Sequence, residues 1–242
     1  MLYEKNNSRS FLFPALVGVV VVLSLLFMIV PLQKPVRTIN FKSDSKSTSK
    51  IVETPSLVGF IGDSICGGAD DGLKEYQRWP QLVSQKLNWF SINACVGGSG
   101  YINPGQDGKH TYKQAFEDLS LKILKPNFIV VQGGQNDLGS SVKSISTAAC
   151  ELYAKIRKKY PSAKLIVMTP FYGVSEAPPV VGEVEEVIKE CASKYQAHLL
   201  TGVRKWMQDH PELLIADGTH PNGKGHALIA KNFVAWFKSN LS

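Results

Sequence analysis

The sequence contains no internal repeat, no Cys/His spacing of the zinc-binding kind and no Gly-rich loop ending in Gly-Lys-Ser/Thr. The first absence argues against a solenoid or propeller. The second argues against a structural zinc site, and the third against a phosphate-cradling nucleotide site. Neither a metal nor a cofactor is therefore expected. Histidine and cysteine are scarce, five and four in 242 residues, so chemistry that needs an imidazole has few candidates. The Gly-x-Ser-x-Gly elbow of ordinary α/β-hydrolases is also missing, because position 66, two after Ser64, is Cys.

What is present is unevenly distributed. Hydrophobic residues make up 44% and charged residues 19%, a globular balance with an apolar excess. The net charge is +7, of which residues 1–54 carry +4 and the remainder only +3. The basic excess flanks an apolar stretch, so it reads as a membrane-surface feature and no nucleic-acid partner is expected. Residues 1–10 form a short polar N-terminus. Phe11–Leu32 then runs without a charge, and as a helix it would span roughly 33 Å, the thickness of a hydrocarbon core. No small-x-small cleavage site ends it, so residues 11–33 are expected to be an uncleaved transmembrane signal anchor, with a cleaved signal peptide as the rival. Lysines after the span outnumber the charges before it, which favours a cytoplasmic C-terminal side. Four cysteines favour an oxidising compartment, and the expectation is an extracytoplasmic domain. Residues 34–55, rich in Ser, Thr and Lys, read as a flexible tether.

From residue 56 onwards strands and helices alternate. Strands are expected at Leu57–Ile61, Phe90–Val96, Asn127–Gln132, Lys164–Thr169 and Ala197–Leu200. Helices are expected at Arg78–Leu87, Thr111–Leu124, Ser144–Tyr160, Val180–Tyr195 and Gly223–Ser239. This alternation predicts a single domain over 56–242, with a five-stranded parallel sheet covered on both faces.

Ligands bind at the carboxyl ends of the strands in such a sheet, and four segments there carry polar groups. The first strand stops at Gly62-Asp63-Ser64. This placement sets Ser64 at the first turn of whatever follows, suited to a nucleophile, though Asp-Ser is also ordinary turn and cap chemistry. The second strand runs into Gly97-Gly98-Ser99-Gly100, where a glycine lets a backbone N–H face a ligand closely. The third runs into Gly134-Gln135-Asn136-Asp137, and Asn136 could donate to a developing oxyanion. Near the C-terminus, Asp217-Gly218-Thr219-His220 places a carboxylate and an imidazole three apart in a loop. His110, His198, His210 and His226 have no such setting and read as surface or core residues.

These four blocks in this order resemble the SGNH, or GDSL, hydrolase family, over about residues 56–240. The resemblance implies a flavodoxin-like, three-layer α/β/α esterase fold. It implies Ser64 as nucleophile, Asp217 and His220 as the other triad members, and Ser64, Gly98 and Asn136 as oxyanion donors. Gly97 and Gly100 compete with Gly98. The expected partner is a small acyl-ester substrate, first an O-acetyl ester on a glycan or envelope polymer. A lipid, lysophospholipid or acyl-thioester comes second, and acyl transfer would use the same residues. A non-catalytic surface-binding module of the same fold is the reading of a different class.

Two further expectations concern side chains. Cys66 and Cys95 follow the first two strands, and Cys150 and Cys191 lie on later helices, so the pairs 66–95 and 150–191 are expected, with four buried thiols as the alternative. Trp79, Trp89, Tyr101 and Tyr172 could line a pocket, though aromatics at such spacings are more often core. The catalytic domain is expected to be monomeric.

Overall fold

A computed structural model describes residues 54–69, 72–173 and 176–241. The expected membrane anchor and most of the tether lie outside these residues. Among the described residues no helix is long and apolar enough to cross a membrane.

Five strands form one parallel sheet in the order β2-β1-β3-β4-β5. They are β1 (Ser56–Ile61), β2 (Trp89–Asn93), β3 (Phe128–Gln132), β4 (Lys164–Met168) and β5 (His198–Leu200). The helices are α1 (Ser64–Gly67), α2 (Trp79–Leu87), α3 (Tyr112–Lys122), α4 (Val142–Lys159), α5 (Pro179–Lys194) and α6 (Gly223–Asn240). Every expected strand and helix is present, most ends shifted by one or two residues. β2 is the exception: it stops at Asn93, not Val96. The Asn93 side chain accepts the Cys95 N–H at 2.9 Å and turns the chain out of the strand. Two ladder-like bonds still follow, from Ala94 N to Phe60 O and from Val96 N to Gly62 O. The one-turn helix α1 had no periodicity to announce it.

The pleat sorts apolar side chains into two cores. Ile61, Ile129, Val131, Leu165 and Val167 face α3, α4 and α5. Val58, Phe60, Val130, Ile166 and Met168 face α2 and α6. Alternation inside fully apolar strands is what a sheet covered on both faces requires. Trp79, Trp89 and Tyr101 belong to these cores and do not line a pocket: each is at most 9% exposed. Gly59, which interrupts the apolar run of β1, has a packing reason. A Cβ there would lie 2.6 Å from Leu119 Cδ2 and 3.0 Å from Ile129 Cδ1, so its absence lets α3 settle on the sheet.

The four cysteines are bonded as Cys66–Cys95 and Cys150–Cys191, which decides against the free thiols. The second pair ties α4 to α5. The first ties α1 to the loop after β2.

A Gly59→Ala substitution should cost about 1–3 kcal/mol of unfolding free energy, the usual penalty for overpacking a dense core. Urea denaturation of both proteins measures it; equal midpoints would mean that Leu119 yields freely.

Candidate active site

The carboxyl ends of β1, β2 and β3 and the loop before α6 meet above the sheet. Residues separated by as many as 156 positions come into contact there. The turn after β1 is held from below by Asp63, a fully buried residue. One Asp63 carboxylate oxygen accepts the Ile65 N–H at 2.9 Å and so caps α1. The other accepts the Tyr112 hydroxyl at 3.0 Å. Burial raises its pKa to about 6, although the Ile65 N–H and the Tyr112 hydroxyl favour the charged form. Gly133, with φ 128°, leaves the space these two side chains need, since any Cβ there would overlap both the phenol and the carboxylate.

Ser64, 8% exposed, is the first residue of α1. Its Oγ lies 2.8 Å from His220 Nε2. His220 Nδ1 lies 2.5 Å from Asp217 Oδ2. Asp217 Oδ1 accepts the N–H groups of Thr219 at 2.8 Å and His220 at 3.0 Å. The Asp217 carboxylate is thereby tied to both the backbone and the ring of His220. Its partial desolvation favours the neutral acid, but the bonds from the His220 N–H, the imidazole and the Thr219 N–H outweigh that and bring its pKa to about 2. Asp217 is thus ionised across the neutral range.

The loop holding this pair is braced by Asn222. The Asn222 side chain accepts from Lys224 N and Gly225 N as the cap of α6. Its amide donates to Glu212 O at 2.9 Å and Leu214 O at 3.0 Å. Asn222 stands two residues after His220, and its bracing role was not expected. An Asn just before a helical run is the signal that marks such a cap.

The oxyanion candidates sit on neighbouring loops. Among the described residues no protein acceptor takes the N–H of Ser64 or of Gly98. Gly98 has φ 73°, a conformation suited to glycine. Gly100 is a poor competitor, because its N–H already donates to Asn103 O at 2.9 Å. The Asn136 amide donates one N–H to Ser99 O at 2.8 Å, which orients the side chain and leaves a second N–H. Asp137 was missed as a supporting residue. Its buried carboxylate accepts the N–H groups of Tyr101 at 2.7 Å, Ile102 at 3.0 Å and Asn103 at 2.8 Å. Burial raises its pKa and these three donors oppose the rise. Asp137 so pins the glycine loop to the turn that carries Asn136, and Gly100 lacks the Cβ that would collide with it.

One cavity includes the Ser64–His220 contact, and a second is lined in part by their neighbours in sequence, Ile65 and Thr219. The first, of about 510 Å³, is lined by Ser64, Arg78, Gln106, Ile215, Asp217 and His220. The other, of about 240 Å³, is lined by Ile65, Asn136, Phe171, Tyr172 and Thr219. Tyr172 is thus the one of the four expected aromatics that faces a cavity. His226 is fully buried and accepts the Trp79 N–H at 3.3 Å; His110 is held by Asp107 and Asp118 on the surface. Among the described residues no cluster of His, Cys, Asp and Glu is built to hold a metal ion.

The chain matches known proteins in sequence and in fold. The sequence profile of the GDSL-like Lipase/Acylhydrolase family matches residues 60–228. The chain is 29% identical over 184 residues to a GDSL lipase of Mycobacterium tuberculosis, covering 72% of this chain and 78% of the relative. Among solved structures, a psychrotrophic esterase from Pseudoalteromonas sp., inhibited by monoethylphosphonate, shares the fold. Its TM-score is 0.63 at 19% identity, over 76% of this chain and 97% of that one. An aryl esterase of M. smegmatis gives 0.63 at 15% identity, over 77% and 100%. A catalytic mutant of an acetylxylan esterase from Geobacillus stearothermophilus gives 0.56 at 18%, over 74% and 93%.

The raised pKa of Asp63 carries a sign. The folded protein holds this proton more tightly than the unfolded chain, so the associated stability is full below pH 3.8 and lost as pH rises through about 6. Relative to Asp63→Asn, the wild type should therefore lose on the order of 3 kcal/mol between about pH 3 and pH 7. Denaturant melts of both proteins across that range measure it; parallel curves would mean that Asp63 titrates normally.

Proposed function

Because the chain belongs to the GDSL-like lipase/acylhydrolase family of ester hydrolases, we propose that it removes small acyl groups, O-acetyl first, from a glycan or envelope polymer through a Ser64-His220-Asp217 acyl-enzyme mechanism. The observation that carries this reading is the unbroken contact from Ser64 Oγ through the His220 ring to Asp217, 2.8 Å and 2.5 Å long.

A serine hydroxyl is a weak nucleophile at neutral pH. As its Oγ attacks the ester carbonyl, His220 Nε2 accepts the proton, and ionised Asp217 stabilises the imidazolium and holds its tautomer. Negative charge develops on the carbonyl oxygen, which the N–H groups of Ser64 and Gly98 and the Asn136 amide receive. Collapse breaks the bond to the alcohol oxygen, and His220 returns the proton to it. A water then repeats the sequence on the acyl-serine, with His220 as base, and releases the acid. None of these steps calls for a metal or cofactor.

The smaller cavity beside Asn136 has room for an acyl group, and Ser64, Arg78, Gln106, Asp217 and His220 give the larger one polar walls that suit a hydroxyl-rich alcohol. Two disulfides suit an extracytoplasmic setting. The uncharged stretch 11–32 suits a single-pass anchor with a monomeric domain on a tether. A lipase reading has its own support in the mycobacterial relative named as a GDSL lipase. A panel of acetylated glycans and acyl esters of increasing chain length separates the two: kcat/KM should be highest for acetyl, and a rise with chain length would favour the lipid.

Ser64→Ala should reduce hydrolysis of p-nitrophenyl acetate to background with Tm unchanged. Asp217→Asn should lose about 10⁴-fold in kcat, and Asn136→Ala about 10²–10³-fold. A folded Ser64→Ala protein with wild-type turnover would contradict the assignment.

A further inference from the structure

The end of the domain opposite the cleft has an unusual surface. Helices run antiparallel to the strands in a parallel sheet, so the last turns of α2 to α6 and the short loops that follow them all lie where the strands begin. These last turns carry Lys86, Lys122, Lys158, Lys159, Lys194 and Lys238, all exposed. Exposed Lys125 and Lys164 stand at the starts of β3 and β4. Neither those last turns nor the joining residues 88, 123–127, 160–163, 195–197 and 241 contain any Asp or Glu. Lysine in a last turn complements the helix dipole, yet each helix end offsets only about half a charge. An excess of positive charge therefore remains.

Large apolar side chains are exposed at the same end. Of the four large hydrophobics that stand out on the surface among the described residues, Phe90, Leu121 and Leu124 belong here, at 63%, 80% and 83% exposure. Phe90 is in register with Leu57 at the start of β1. Leu57 in turn exchanges hydrogen bonds with Asn127, three residues after Leu124. The sequence Leu121-Lys122-Ile123-Leu124-Lys125 alternates exposed leucine with exposed lysine around the buried Ile123. The chain also enters β1 at this end, after the polar stretch that follows the uncharged segment 11–32.

We propose that this basic, leucine-tipped end is a docking face for an anionic lipid bilayer, with Leu121, Leu124 and Phe90 entering the interface and the lysines meeting the headgroups. Lysines near an anionic membrane each strengthen binding about fivefold, and exposed leucines add apolar burial that a soluble polyanion does not offer. Docked so, the domain turns its cleft away from the bilayer and towards the polymer beyond. The proposal is separate from the substrate assignment, since it concerns the opposite end of the sheet.

The test uses the full chain reconstituted in nanodiscs of pure phosphatidylcholine or of phosphatidylcholine with phosphatidylglycerol, followed by hydrogen exchange. Amides of residues 119–125 and 88–91 should exchange at least about fivefold more slowly on the anionic discs. The cleft loops should be unaffected. Lys122→Glu/Lys125→Glu should abolish the difference and leave p-nitrophenyl acetate turnover unchanged, and Leu121→Ser/Leu124→Ser should reduce it. Equal exchange on both discs would overturn the proposal. So would slower exchange at the cleft loops instead, or equal protection by dextran sulfate that is indifferent to the leucine substitutions. Capture of the chain by neutral discs reports on the N-terminal segment, and turnover reports on the cleft, so failure of either is distinguishable from failure of the face.

Discussion

A hydrogen bond of 2.8 Å joins the first residue of α1 to the loop before α6, 156 residues further on. The arrangement around the cleft serves that contact. Its length is set by how rigidly each end is held, because neither a serine hydroxyl nor an imidazole fixes its own position. At one end Asp63 caps α1 from beneath and is itself fixed by Tyr112. At the other, Asp217 grips both the ring and the backbone of His220, and Asn222 ties the loop to α6. The anchoring groups are carboxylates and an amide, which accept several N–H groups at once. Asp63 pays for its burial in a raised pKa; more exposed Asp217 stays ionised, as the proposed role of His220 as a base requires.

The loops that carry the proposed oxyanion donors follow the same logic with different means. A disulfide ties the loop after β2 to α1. The Asp137 carboxylate gathers three consecutive N–H groups of that loop, and Asn136, its neighbour in sequence, bonds to Ser99 on the same loop. Rigid support of this kind matters because donors contribute most when they are already oriented as charge develops.

Much of this was legible in the sequence because it is written in local patterns. Apolar runs that end in Gly and a small polar residue located the strands, and the Ser64 turn with them. Asp217 and His220 stood out because three residues in one loop confine them to one neighbourhood. What escaped depends on contacts between distant segments. Asp137 reads as turn chemistry until the loop 34–36 residues before it folds across its carboxylate. Gly59, Gly100 and Gly133 look like interruptions, and their purpose is the room that Leu119, Asp137 and the Tyr112–Asp63 pair require. The early end of β2 turns on one side chain, Asn93, competing with the ladder for a backbone N–H. Trp79, Trp89 and Tyr101 went to the core because apolar burial takes most aromatics.

The central claim is that His220 activates Ser64, and the most direct measurement is the rate of covalent labelling by a fluorophosphonate, with the modified residue mapped by mass spectrometry. Rapid phosphonylation of Ser64 alone, slowed to background in folded His220→Ala, is the predicted result. Labelling at another residue, or an unchanged rate on Ser64 without the imidazole, would contradict it.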